Sequence, residues 1–485
     1  MKKSDYLFWG LCLVVVVWFA GQRIARSRAA KAWEAERQER IAKDFNKSYD
    51  EVKAFVAQYI PDVTDEQMEA WSADNRLENL EIGGERRYFR KAGPNLFRID
   101  KACERIQAET ETLSGNRIDG HNADDAAVIP VLVGQVRSQL VAGGGGIADT
   151  AAVAPPSPYL GTPKTFHVRY TLTVHPDAVP AGETVRCWLP FPRSDVPRQR
   201  DVQLLSTSEP DPVLSRPENG HCTVYLEKTA VAGEPTVFSE EFRYTAFGEW
   251  HPLSADAVKP YVNNTRMYLE YTAERPPHIR FSPEIRSLVQ TLAGDETNPY
   301  LLARKFFTYV NDNFPWASAR EYSTLEDIPA YVLREGHGDC GMVTLLFITM
   351  CRCAGIPARW QSGFMMHPSG WNLHDWGEVY FEGVGWVPAD QSFGIPPYAV
   401  RTEPLLGDRA PQGEPLLTLP EAEFFYLGGI DPYRMVVNSD YGGLLEPRKR
   451  YPRSETVDFQ RGEVEWKGGN LYFDQWDYRM DIDYR

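Results

Sequence analysis

Between residues 164 and 275 apolar and polar positions alternate. Phe166, Val168, Tyr170, Leu172 and Val174 fall on one face of a run with the two-residue period of a half-buried strand. The same period marks 184–189, 202–206, 223–227, 236–246 and 267–271, with Pro and Gly turns between the runs. Some seven short strands so spaced predict a β-sandwich. On either side the period is helical. Val52, Phe55, Val56 and Tyr59 recur at helical spacing before Pro61, and Thr64 with Gln67 forms a capping-box pattern for a helix over 65–71. Residues 80–90 turn through Gly83 and Gly84 as a hairpin, and 95–109 open another helix. Beyond the alternating stretch, Asn298 caps Pro299, and Leu302, Phe306 and Val310 share a helical face.

The segment 336–394 combines both periods. Met342, Val343, Leu345, Leu346, Phe347, Ile348 and Met350 cover the whole circumference of a helix over 340–354, which predicts burial on all sides. Asp339 is its N-cap; Gly355 and Pro357 end it. A strand over 358–364 follows. In the next, 372–381, His374, Trp376, Glu378 and Tyr380 alternate with Asp375, Gly377, Val379 and Phe381. The turn 382–385 sends the chain back through Trp386, and counting outward places Asp390 nearly opposite His374. A Pro-rich loop over 395–420 leads to further strand patterns at 425–437, 457–460, 464–466, 471–473 and 478–482.

These patterns predict an α+β protein with the following division: a signal segment 1–28, a helical N-terminal module 29–142, a Gly/Pro/Ala-rich linker 143–163, a β-sandwich 164–275, a central α+β domain 276–400 and a strand-rich extension 401–485. The apolar run 6–21 follows Lys2 and Lys3, with Arg23, Arg26, Arg28 and Lys31 directly after it. It reads as an uncleaved signal anchor, the alternative being a cleaved and secreted form, because an arginine-rich stretch replaces the expected small-residue cleavage site. The expectation is a membrane partner through residues 6–21 and an extracytoplasmic, membrane-anchored place in the cell envelope.

Composition narrows the function classes. At 485 residues, 43% hydrophobic and 25% charged, the chain can bury a sizeable core in several units. A net charge of -15 without a basic patch excludes nucleic acid as a partner. The seven cysteines contain no CxxC pair and are irregularly spaced, so no metal site, cofactor or disulfide framework is expected. Cys187 and Cys222 could pair in an oxidising compartment.

The chemistry concentrates on three residues. Cys340 begins a buried helix, where unpaired N–H groups and the positive helix end favour a thiolate. Gly338 and Gly341 leave room beside the sulfur, and the Cys340 N–H is the natural oxyanion donor. His374 on its strand and Asp390 across the hairpin complete a nucleophile, a base and a group that orients the base. Trp316, Tyr322, Gly341 and Trp376 are the candidates for walling the cleft or contacting substrate and oxyanion. Core packing accounts for Trp316 and Tyr322 equally well.

At these residues the sequence resembles the transglutaminase-like superfamily: GDCG at 338–341, CAGIPARW at 353–360, HDWGEVYF at 374–381 and GVGWVPADQSFG at 383–394. The resemblance covers about 299–394. It implies a papain-like catalytic core with Cys340 as nucleophile, His374 as base and Asp390 as its partner, preceded by a β-domain. Asp375 stands where members of the family often carry alanine. Nothing resembles the acidic calcium-binding loops of animal members, so calcium-dependent crosslinking is not implied. The expected function is a thiol enzyme acting on amide bonds of a protein or peptide substrate, a peptidase or amidase before a crosslinker. The competing expectation is a non-catalytic envelope scaffold that binds peptide or glycan through its β-sandwich.

Overall fold

The computed structural model describes residues 33–110, 123–141, 159–216, 218–368, 370–394 and 424–484. Most of the expected linker 143–163 and all of the loop 395–420 lie outside them, as does the apolar run 6–21. The chain forms two compact units, one ending at Gly93 and one beginning at Pro94. The membrane anchor expected over 6–21 is corrected here, together with the membrane partner and the envelope placement that rested on it. That run is outside the described residues, and among the described residues no helix is long and apolar enough to cross a membrane.

After a helix over 33–44, the first unit contains α1 (Tyr49–Val56), α2 (Asp65–Ala73), β1 (Asn79–Ile82) and β2 (Glu85–Tyr88). Both helices begin with a reciprocal capping box, Ser48 with Glu51 and Thr64 with Gln67, which satisfies N–H groups that would otherwise be orphaned. Phe45, Val52, Val56, Met68 and Tyr88 form its core. α3 (Ala92–Ile99), α4 (Lys101–Thr110) and α5 (Ala123–Val141) follow.

The second unit continues with β3 (Leu160–Val174), β4 (Thr184–Pro190), β5 (Gln199–Thr207), β6 (Val213–Leu214), β7 (Thr223–Thr229) and β8 (Thr236–Trp250). Then come α6 (Arg266–Tyr271), α7 (Pro283–Ala293), α8 (Pro299–Asn313), α9 (Ile328–Glu335) and α10 (Cys340–Cys353). The remaining strands are β9 (Ala358–His367), β10 (Gly370–Phe381), β11 (Gly385–Ala389), β12 (Gly429–Ile430), β13 (Arg434–Asn438), β14 (Glu463–Trp466), β15 (Gly469–Leu471) and β16 (Trp476–Tyr484). The architecture is mixed α+β: helices first, sheets in the middle, and a strand-rich C-terminal region.

Three antiparallel sheets carry the second unit. One runs β12-β8-β3-β16 with β5 also on β8, one runs β15-β14-β4-β7-β6, and one runs β11-β10-β9-β13. The inward faces of the first two share a core. Phe166, Val168, Tyr170 and Leu172 of β3 and Phe238 and Phe242 of β8 meet Val185, Cys187, Val224 and Leu226 of the other sheet. α10 is buried along its length, packed with α8 and α9 and with Val379 and Phe381 of β10 in a second core. The C-terminal region adds strands to all three sheets: β13 to β9, β14 to β4, and β12 and β16 to the first.

Three local expectations differ from the structure. Residues 267–271 are helical because the Thr265 hydroxyl accepts from the Tyr268 N–H and starts α6, which buries none of its side chains. Residues 457–460 form no strand; they serve as a loop whose side chains reach the central site. Cys187 and Cys222 are both buried free thiols.

One inward position of β8 breaks the apolar pattern. Glu240 lies between Phe238 and Phe242, fully buried, and neither carboxyl oxygen has a hydrogen-bond partner. Burial pushes its pKa well above the usual carboxylate range. The folded state therefore favours the neutral acid, so stability is highest below the unfolded pKa and is lost as pH rises from there. Glu240→Met, of matching shape, is expected to add about 1–3 kcal/mol of stability at pH 8 and little at pH 4. Urea unfolding at the two pH values checks this, and an equal gain at both would remove the charge from the explanation.

Candidate active site

The start of α10 is fixed from both sides. α9 ends at Gly336, whose φ of 72° places it in the left-handed region and turns the chain sharply. The short link then pairs with the segment before it, Ala317 N–H donating to Gly338 O at 3.0 Å. Asp339 takes up the N-cap, its Oδ1 accepting from the Met342 N–H at 3.1 Å. Cys340 is thereby the first helical residue, partly accessible to solvent. His337 packs edge-on against Tyr331, and burial lowers its pKa to about 4, so it is a neutral structural residue.

The group that meets the sulfur is Asp375. Cys340 Sγ donates to Asp375 Oδ2 at 3.5 Å. Tyr322 Oη donates to Asp339 Oδ1 at 2.6 Å and lies 3.4 Å from the same Asp375 oxygen. On the other side, Gln460 Nε2 donates to Asp375 Oδ1 at 2.8 Å and to the His374 carbonyl at 2.9 Å. The carboxyls of Asp375 and Asp458 share a hydrogen bond. Beyond them Arg461 pairs with Glu321 at 2.6 Å and with Glu455 at 3.3 Å.

This acidic setting decides the protonation states. Burial and then the Asp339 charge raise Asp375 to about 8; burial raises Asp339 to about 6. Glu455 is raised to about 8 by burial and Asp458. The Cys340 thiol is pushed well above its ordinary value by burial, then by Asp375 and Asp339. The helix end expected to favour a thiolate is outweighed by desolvation and two neighbouring acids.

His374 lies on the opposite face of β10, as strand alternation requires once Asp375 faces the helix. Its Nε2 is 2.8 Å from Asp390 Oδ2, and both residues are buried. The β10–β11 register pairs Gly377 with Ala389, so Asp390 comes beside Trp376 and reaches His374 diagonally. Arg434 of β13 approaches Asp390 Oδ2 at 3.3 Å, pairs with Asp431 at 3.0 Å and covers the Phe393 ring. No hydrogen bond joins the His374 imidazole to the Cys340 sulfur. The structure thus joins Cys340 to Asp375 and His374 to Asp390, one pair on each side of the strand.

The other candidates separate in the same way. Tyr322 is at the sulfur's side through Asp339 and Asp375. A Cβ on Gly341 would collide with Tyr322 Oη and Asp375 Oδ2, so the first turn of α10 admits these groups only because that residue has no side chain. Trp376 packs with Ile430 and Val436 on the His374 face. Trp316 carries the Arg98 guanidinium 4.3 Å above its ring. Sequence reasoning missed Asp458, Gln460 and Arg434, which come from a region with no local motif. Among the described residues, no three or more His, Cys, Asp or Glu side chains are arranged to hold a metal ion.

Residues 286–391 match the model of the transglutaminase-like superfamily. Among solved structures, a candidate cysteine protease from Cytophaga hutchinsonii shows 13% identity and a TM-score of 0.44 over 67% of this chain and 92% of its own. The periplasmic domain of TgpA from Pseudomonas aeruginosa shows 17% identity and a TM-score of 0.26 over 51% of this chain and 93% of its own. A candidate protease from Parabacteroides distasonis shows 11% identity and a TM-score of 0.21 over 46% of each chain. At these scores none of the three structures bears on the assignment. No curated protein matches the chain. The segment 286–391, with the Cys340 helix and the strands packed on it, belongs to the transglutaminase-like superfamily.

Proposed function

We propose that the protein is a thiol enzyme that acts on amide bonds of proteins or peptides through an acyl-enzyme on Cys340. The observation that carries this reading is the partly buried cysteine that opens a buried helix, hydrogen-bonded to a carboxyl, inside the matched segment. In this reading the segment 276–400 is a papain-like catalytic core and the paired five-stranded sheets are a β-sandwich that precedes it. Cys340 Sγ attacks the amide carbonyl, and the backbone N–H groups opening α10 receive the oxyanion. The amine leaves with a proton, and water then cleaves the thioester.

Hydrolysis is placed before crosslinking because the resemblance implies a peptidase or amidase before a crosslinker. The resemblance gives the base's role to His374 with Asp390 as its partner; the pair's contact at 2.8 Å supports their acting together. The test is intact-mass spectrometry on protein mixed with casein peptides and quenched in acid. The expected result is a hydroxylamine-sensitive acyl adduct confined to the peptide bearing Cys340, with free carboxylate products that carry oxygen from labelled water. Peptide retention without adduct or cleavage would sink the enzymatic reading and favour a binding scaffold.

A further inference from the structure

The link Gly338–Asp339 that leads into α10 is fastened to residues 315–322. Trp316 bridges Gly338 in parallel register, and the Ala317 N–H donates to the Gly338 carbonyl at 3.0 Å. The Gly338 N–H donates in turn to the Pro315 carbonyl at 3.4 Å. At the far end of the stretch Tyr322 Oη donates to Asp339 Oδ1 at 2.6 Å, the oxygen that also caps the Met342 N–H. The first turn of α10 is therefore laid against 315–322. Apart from that bridge and a short 3-10 turn at Tyr322–Thr324, this stretch has no regular structure of its own.

Its support comes from α3, which from Pro94 onward belongs to the second unit. Asn95 is buried, and its amide bonds both backbone groups of one residue 223 positions later. Nδ2 donates to the Ser318 carbonyl at 2.9 Å, and Oδ1 accepts from the Ser318 N–H at 2.9 Å. A primary amide that engages the N–H and C=O of a single residue fixes both its place and its rotation. One helical turn on, the Arg98 guanidinium lies 4.3 Å above the Trp316 ring.

We infer that Asn95, seconded by Arg98, is a positioning residue for the reaction at Cys340. α3 holds 315–322 in place, and 315–322 holds the link from which the sulfur and the first N–H groups of α10 project. The inference rests on the Cys340 acyl-enzyme reading and extends the working site to a helix outside the matched segment 286–391. The base's role stays with His374. Position matters here because oxyanion donors act by being fixed before the charge develops, and a drift of about 1 Å costs on the order of 100-fold in rate. Without the Asn95 amide, the Ser318 N–H and C=O lose their partners together, and the stretch beneath the link is free to shift.

The experiment compares wild type with Asn95→Ala, Arg98→Ala and Arg98→Lys in the full chain. It measures kcat and KM for casein-peptide hydrolysis, and amide hydrogen exchange by mass spectrometry. Asn95→Ala is expected to lower kcat by about 10-fold or more while KM stays within about threefold. Exchange is expected to quicken in peptides spanning 338–342 as well as at 316–318. An amide that only anchors α3 would quicken exchange around 95 and 318 and leave kcat within about twofold of wild type, and that result overturns the inference. A fall in kcat with unchanged exchange at 338–342 overturns it too. Arg98→Ala is expected to lose a smaller part of kcat, and Arg98→Lys, which keeps a cation over Trp316, to regain it. Should Asn95→Ala fail to fold, this pair decides, and a wild-type kcat in Arg98→Ala counts against the inference. Hydrolysis without any adduct on wild-type Cys340 would instead bring down the acyl-enzyme reading, while exchange at 338–342 would still report the fastening.

Discussion

Replacing Cys340 with alanine is expected to remove amide hydrolysis, by about 10⁴-fold or more, from a protein of nearly unchanged stability. The nucleophile has no substitute. Cys103, Cys187, Cys222 and Cys351 are buried, and Cys353 stands at the opposite end of α10 from Cys340. The helix does not depend on the thiol: Asp339 caps α10 through the Met342 N–H, and alanine is the best helix former at an accessible first-turn position. The sulfur's hydrogen bond goes to Asp375, an acid with Gln460 and Asp458 still to satisfy it. Stability should therefore change by less than about 1 kcal/mol. Hydrolysis and urea unfolding measured on the same preparation decide the matter. A variant that unfolds early would make the lost rate uninformative about chemistry, and one that keeps the rate would end the thiol mechanism.

Arg434→Ala is expected to destabilise the second unit by about 3–5 kcal/mol. The side chain is fully buried and sits between two fully buried carboxylates, Asp390 and Asp431, with His367 Nε2 at 3.0 Å. Removing the cation takes the guanidinium from both acids and opens a space under Phe393. Burial alone would raise the Asp431 pKa, but Arg434 foremost, then His367, holds it below the usual carboxylate value. A depressed carboxylate stabilises the fold above its unfolded pKa, and that contribution fades as acid protonates it. The gap between wild type and Arg434→Ala should thus be widest near neutrality and shrink towards pH 3. Arg434→Lys should recover less than half of it, since one ammonium cannot serve two carboxylates as a planar fork does. A loss under 1 kcal/mol in urea unfolding at pH 7 would show that the ion cluster contributes nothing net.

How far the fold was legible in the sequence depends on how local its signals are. The capped start of α10 at Asp339, the buried circumference behind it and the β10–β11 hairpin each show in fewer than 20 consecutive residues. So do the alternating face of β3 and the turn at Gly83 and Gly84. The candidate site is less local. Alternation told that His374 and Asp375 point to opposite faces, but no spacing tells which face the Cys340 helix covers. That choice is made by packing, through Gly377 against Ile348 and the room at Gly341. Arg434, Asp458 and Gln460 were invisible for a related reason. They reach the site from a region outside the matched segment, and only the sheet pairing brings them there. At 267–271 a single threonine hydroxyl outweighed an apolar-polar pattern too short to define a strand.

The pairing of the C-terminal strands with all three sheets sets an order on how the chain can be made. β3, among the first strands of the second unit to leave the ribosome, is bordered by β8 and by β16, which emerges some 300 residues later. β4 likewise awaits β14, and β9 awaits β13. Until those strands appear, a growing chain carries three sheet edges with unpaired backbone groups, each a template for a neighbouring chain on the same message. Completion of the second unit therefore waits until β13, β14 and β16 have emerged. The loop that carries Asp458 and Gln460 to the cysteine arrives in the same closing step, so no shorter nascent chain holds an assembled site.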